Sequence, residues 1–175
     1  YDALFIEKLQ MLLAIREGEI LDWPGGAHTH KVQGRGVWPR PVQDRLPVWV
    51  AVGGTPGSVA RAGQMGLPLA LAIIGGQPAR FAPLFDLYRK SAAQAGHDPA
   101  RLPTSLNVHG FVAETRAQAL DIFAPPVIEV MTRIGAERGW PPMTRAALEA
   151  SAGPGGALFL GSPAEVTDKI LAMHE

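Results

Sequence analysis

Val48-Trp49-Val50-Ala51-Val52-Gly53-Gly54-Thr55-Pro56 opens with a near-continuous apolar run rich in β-branched residues and closes on breakers. Such a run is what a parallel strand covered on both faces carries. Thr55 suits a helix N-cap, where its side-chain oxygen can accept from a free backbone N–H, and Pro56 suits the first helical position, where no N–H is needed. The stretch therefore reads as a strand-to-helix junction. The same punctuation returns at Gly76-Gln77-Pro78 and Gly161-Ser162-Pro163, each after a short apolar run.

Working outward, a helix is expected from about Pro56 to Met65, a strand from Leu69 to Ile74, and a helix from Pro78 to about Ala95. That last helix carries Phe81, Leu84, Phe85 and Tyr88 on one side and has Gly96 at a left-handed C-cap. Leu106 to Ala113 reads as a third strand. A helix follows from about Thr115, kinked or ended by Pro125-Pro126, with the helical pattern resuming from Val127 to Arg138. A helical stretch near Thr144 to Ala150 and a fourth strand at Ala157 to Leu160 come next. The last helix starts with Ser162 and Glu165 at capping-box spacing. Upstream, Phe5, Leu9, Leu12 and Leu13 recur at helical spacing from Asp2 to Glu17, and Gly18 ends that helix. Residues 18–46 hold so many glycines and prolines that only short extended pieces fit in a long irregular connection.

Strands alternating with helices imply parallel β/α units with right-handed crossovers, and four such units are half of an eight-unit barrel. The expected fold is α/β, of the (β/α)8 TIM-barrel type, with 1–175 a single domain and about half a barrel. An open doubly wound sheet is the alternative, and the lack of Gly-x-Gly-x-x-Gly after the first strand lowers its dinucleotide-binding version. The chain begins at Tyr1-Asp2-Ala3-Leu4 already in helical pattern and stops at Leu171-Ala172-Met173-His174-Glu175 with no helix-stop signal, so a fragment is expected.

Composition narrows the function. The 47% hydrophobic and 18% charged shares fit a globular domain, and 16 basic residues cancel 16 acidic ones, which removes the electrostatic footprint of a nucleic-acid or anionic-membrane binder. With no cysteine there is no disulfide, thiolate metal site or thiol nucleophile. The apolar runs are too short for a membrane span and no secretion signal opens the chain, so a cytoplasmic protein is expected.

Chemistry has two candidate places. At Val52-Gly53-Gly54-Thr55-Pro56-Gly57-Ser58, two glycines let the backbone approach a ligand, and Thr55 and Ser58 add hydroxyls on the first helical turn: a cradle for a phosphate monoester. The same residues also read as a tight βα turn that binds nothing, since no lysine follows as in a P-loop. The second place is Ile73-Ile74-Gly75-Gly76, at a neighbouring strand end in a barrel, where a flat ring could rest on the isoleucines; singly, the two isoleucines read as ordinary core. His109 reads as a partnered core histidine, His28 and His30 lack a third metal ligand at the right spacing, and no Ser-His-Asp set can be assembled. No metal is expected and no catalytic residue can be assigned.

Val50-Ala51-Val52-Gly53-Gly54-Thr55, Gly66-Leu67-Pro68-Leu69, Ala95-Gly96-His97-Asp98 and Gly161-Ser162-Pro163-Ala164-Glu165-Val166 together resemble the bacterial luciferase-like monooxygenase family. Pro39-Arg40-Pro41-Val42-Gln43 and the opening helix extend the likeness over nearly the whole chain. The resemblance implies a (β/α)8 flavin-dependent enzyme, of which this is roughly the carboxyl half. It implies FMN, with the phosphate at Gly54 and Thr55 and a hydroxyl at Ser58, and Ile73 and Ile74 beside the isoalloxazine. It departs from luciferase proper by having Gly54 where an acidic residue stands, so light emission is not implied. The function expected is a monooxygenase that uses reduced FMN and O2 to oxygenate a small organic substrate, served by a flavin reductase and associating as a homo-oligomer. The alternatives are a non-oxygenating flavin oxidoreductase and a flavin- or phosphate-binding half-barrel without turnover.

Overall fold

The computed structural model describes residues 1–174 and divides the chain into two compact units, Tyr1–Val48 and the chain from Trp49 onward. The first unit holds helix α1 (Asp2–Glu17) and the antiparallel strands β1 (Ile20–Trp23) and β2 (Val32–Gly36), so the short extended pieces of the connection pair with each other. Of the apolar stripe on α1 only Leu9 is buried, and Leu12 is 46% exposed. Gly18 is extended, not left-handed, so the helix end finds a different cap. Arg40 supplies it, donating to the carbonyls of Ile15 and Arg16 at 2.9 and 3.0 Å. Farther along α1, the Glu7 carboxylate accepts from the Thr29 hydroxyl and the His28 N–H, and these bonds, that of Thr29 foremost, hold its carboxyl below the usual range.

In the second unit β3 (Val50–Val52), β4 (Leu69–Ala72) and β5 (Thr104–Asn107) form a parallel sheet in the order β3-β4-β5, with Val52 opposite Leu71 and Leu71 opposite Leu106. Successive strand residues point to opposite faces. Val50, Val52, Leu69 and Leu71 are buried, whereas Ala51 between them is exposed and Ala70 and Ala72 are half-buried. The buried face is served by α2 (Pro56–Gln64), which touches both β3 and β4 and packs tightly on α3 (Ala82–Gln94).

Both helices end in the glycine-closed motif in which two N–H groups reach back to orphan carbonyls. After α2, Gly66 at φ +62° and Leu67 donate to Gly63 and Ala62; after α3, Gly96 at φ +83° and His97 donate to Ala93 and Ala92. Leu67 is pinned further by the buried Tyr88, whose hydroxyl donates to its carbonyl at 2.8 Å and whose phenol burial pushes up in pKa.

The expected third strand is two. β5 stops at Asn107 and β6 (Gly110–Val112) starts after a break at Val108–His109, pairing in parallel not with β4 but with β7 (Phe159–Gly161). The second unit is thus a three-stranded and a two-stranded parallel sheet. Between β6 and β7 run α4 (Arg116–Arg138) and α5 (Arg145–Ser151), and α6 (Pro163–His174) follows. Pro125 and Pro126 lie inside α4 without ending it. The carbonyls they leave unbonded belong to Asp121 and Ile122, both exposed residues, so water can satisfy them.

The capping box at α6 forms as its spacing requires: Ser162 N–H and hydroxyl donate to Glu165 at 2.8 and 2.9 Å. Those bonds, the backbone one first, hold the Glu165 carboxyl below its usual range. A lowered folded value means that the stabilisation is complete above the ordinary carboxylate range and is lost as pH falls through the folded value. Ser162→Ala should cost about 1 kcal/mol at neutral pH. Glu165→Gln, which keeps the reciprocal bonds, should flatten the acid loss, as thermal melts at neutral and acid pH will read.

Candidate functional site at the strand tips

Because β3 and β4 are parallel neighbours in register, the segments that leave them, Gly53–Gly54 and Ile73–Ile74, emerge at the same edge of the sheet. Val52 is buried, so it can offer a ligand only backbone. Gly53 and Thr55 are exposed, and Gly54 and Ser58 are half-buried at the start of α2. Gly54 has φ +109°, a conformation that favours glycine, and a Cβ there would stand 3.2 Å from the Phe81 ring. At Gly53 a Cβ would meet nothing within 4 Å.

The turn keeps its donors. Thr55 makes no side-chain cap bond, and its carbonyl accepts from Ser58 and Val59 at 3.1 and 3.2 Å. The N–H groups of Gly53, Gly54, Thr55 and Gly57 make no hydrogen bond within the described residues. Four unspent N–H groups at the positive end of a helix dipole are the chemistry that suits an anionic group such as a phosphate.

The second tip divides its two isoleucines. Ile73 is wholly buried and donates its N–H to Asn107 at 2.9 Å, whereas Ile74 is 78% exposed. Gly75 and Gly76 are exposed, and a Cβ on either would meet nothing within 4 Å. Phe81, expected on the core stripe of the following helix, lies instead in a 3-10 turn (Pro78–Phe81) and sets its ring beside Gly54. The only signal for it was Pro78, whose fixed φ starts a turn that α3 then continues from Ala82.

His109 is not a core histidine. It is exposed in the break between β5 and β6, where its carbonyl accepts from Phe159 at 2.9 Å, and it borders a cavity of about 440 Å3 together with Ile74 and Gly75. His28 and His30 join no metal-binding group: among the described residues no three His, Cys, Asp or Glu side chains come together as one. None of the described helices is long and apolar enough to cross a membrane.

Parallel β/α units of this kind are the building blocks of α/β barrels, whose functional sites lie at the carboxyl ends of the strands. The family model for luciferase-like monooxygenases matches residues 1–175, and the chain belongs to that family. Among solved structures it is similar to the monooxygenase RslO1 from Streptomyces bottropensis, at 22% identity and a TM-score of 0.72 over 99% of this chain and 50% of that one. It is also similar to the oxygenating constituent of 3,6-diketocamphane monooxygenase from Pseudomonas putida, a type II Baeyer–Villiger enzyme in complex with FMN. There the identity is 19% and the TM-score 0.58, over 98% of this chain and 52% of that one. The coenzyme F420-dependent tetrahydromethanopterin reductase from Methanopyrus kandleri matches at 16% identity and a TM-score of 0.65, covering 98% of this chain and 54% of that chain. The chain thus spans about half the length of the structures it matches, as a half-barrel does. No curated protein matches it.

Proposed function

We propose that this chain is the FMN-binding part of a flavin-dependent monooxygenase that oxygenates a small organic substrate with O2. The observation that carries the reading is the set of unspent N–H groups on Gly53, Gly54, Thr55 and Gly57, one strand away from the exposed Ile74. In this reading those groups and the hydroxyls of Thr55 and Ser58 hold the phosphate. Ile74, fixed from beneath by buried Ile73, lies against the ring, and Gly75 and Gly76 let the ring come close. Bound reduced FMN would supply the reaction with O2, and the protein's part is to orient the ring and keep water from it. The dependence of one solved relative on F420 supports keeping a second reading, a flavin oxidoreductase that does not oxygenate. Substrate-dependent O2 consumption with incorporation of one oxygen atom separates the two. The same proposal places the protein in the cytoplasm, supplied by a flavin reductase, and as a homo-oligomer, because β3 is an edge strand with an exposed Ala51 face.

The test lies at Gly53, not Gly54. Aspartate at Gly54 would meet both a left-handed backbone and the Phe81 ring, so it would confuse folding with binding. Gly53→Asp puts a carboxylate into open space against the phosphate. FMN affinity, read by quenching of flavin fluorescence, should fall at least about tenfold, about 1.4 kcal/mol, with Gly53→Asn losing less. Unchanged affinity in Gly53→Asp would remove this turn from the site.

A further inference from the structure

The cavity of about 440 Å3 in the second unit lies outside the phosphate turn yet shares Ile74 and Gly75 with the tip assigned to the flavin ring. Its other walls come from α4, with Phe123, Val127, Val130 and Met131, and from Leu148 of α5. The volume falls within the roughly 300–1,000 Å3 usual for small-molecule sites. Its walls carry no Asp, Glu, Lys or Arg. An ion entering it would lose hydration without gaining a partner, so the cavity selects against charge.

Two lining side chains other than Met have polar atoms, and one of them is spent. Ser151 donates its hydroxyl to the Leu148 carbonyl at 2.7 Å. The His109 imidazole makes no hydrogen bond within the described residues, and the interruption of the strand between β5 and β6 leaves it exposed at the cavity wall. Met131 and Met143 add unbranched, adaptable walls.

We propose that this cavity is the substrate pocket and that it takes an uncharged organic molecule: the hydrocarbon body lies between α4 and α5, and a single carbonyl or hydroxyl hydrogen-bonds to His109. The assignment rests on the flavin reading, because the shared Ile74–Gly75 wall is what would bring that substrate beside the ring. His109 acts here as a specificity residue. The methionine walls predict tolerance of body shape, and the uncharged lining predicts intolerance of a carboxylate.

The experiment uses the full chain with 4-fluoroacetophenone as neutral probe and 4-fluorobenzoate as its anionic counterpart, each titrated by fluorine NMR, with FMN binding measured in parallel. The ketone should bind at least tenfold tighter than the benzoate. Val130→Trp, at a position 39% exposed that has room for the larger ring, should weaken the ketone at least tenfold and leave FMN affinity within twofold. His109→Phe should weaken it severalfold, and His109→Gln should restore most of the loss. Should Val130→Trp fail to fold, Val127→Phe fills the same space from the preceding turn of α4. Ketone affinity indifferent to these fillings, or equal affinity for the benzoate, overturns the pocket. Ketone binding lost on filling in a protein that never binds FMN keeps the pocket and removes the flavin site instead.

Discussion

Leu71→Ala is expected to lower stability by about 2–5 kcal/mol, the range for removing a fully buried leucine that leaves a cavity. Leu71 has no exposed surface and sits in the central strand of its sheet, opposite Val52 on one side and Leu106 on the other. Neighbours tied on both sides by ladder bonds cannot collapse into the space, which argues for the upper part of that range. In a chain of this size the midpoint should drop by roughly 4–20 °C. Ala51→Ser, on the opposite and exposed face of β3, should move it by no more than about 0.5 kcal/mol. Calorimetry showing equal effects for the two would mean that the sheet does not bury the face that carries Leu71. Under the proposed function, FMN affinity in the surviving folded Leu71→Ala protein should also fall, because the Ile73–Ile74 tip leaves the strand anchored there.

Gly63→Val should cost about 1–3 kcal/mol, and the reason lies across the helix pair. A Cβ at Gly63 would stand 2.5 Å from the Tyr88 carbonyl oxygen and 3.0 Å from the Ala92 nitrogen, both of them backbone atoms of α3. Neither can rotate away, so α2 must lift off α3. Two terms compete. Replacing a helical glycine with alanine gains up to about 1 kcal/mol of backbone entropy, whereas forcing extra atoms into a packed contact costs about 1–3 kcal/mol. For alanine the terms partly cancel; for valine, with two further carbons and restricted χ1 in a helix, sterics win. Lifting α2 also strains the Tyr88 hydrogen bond to Leu67. A thermal melt in which Gly63→Val matches the unchanged protein would show that the two helices are not in backbone contact.

Much of this was legible along the chain, and the readable parts share a property. Gly96 and the Ser162–Glu165 pair act on atoms a few residues away, so local geometry decides them and their spacing announces them, whereas Thr55 takes the N-cap position without the side-chain bond expected of it. The run at Val48–Val52 and its successor at Leu69–Ile74 announced strands whose pairing is the simplest one available, neighbour to neighbour in parallel. The places where reading failed are those where a distant partner intervenes. Leu106–Ala113 is one apolar run, but β4 claims its first half and β7 its second, and the break falls at Val108–His109. His109 was read as core because a residue in mid-strand is normally covered, and the break uncovered it. Pro125-Pro126 would end an isolated helix, yet α4 continues through them because its apolar side is packed, with Ala119, Leu120 and Ala124 buried among Leu148, Leu158 and Leu160. The stripe on α1 buries only Leu9 because a face becomes core only where something covers it.

By itself the sequence determined the β/α rhythm, the capping box of the last helix, the absence of thiol-based chemistry and the family to which the chain belongs. Tertiary structure alone decided that the Gly53–Gly54 and Ile73–Ile74 tips share one sheet edge, that Phe81 stands over Gly54, and that His109 faces a cavity walled by α4 and α5. The division has a physical cause. Caps and propensities are set by bonds closed within a turn of the chain, whereas a site is made where residues far apart in sequence are held together by burial, and burial is a property of the packed whole.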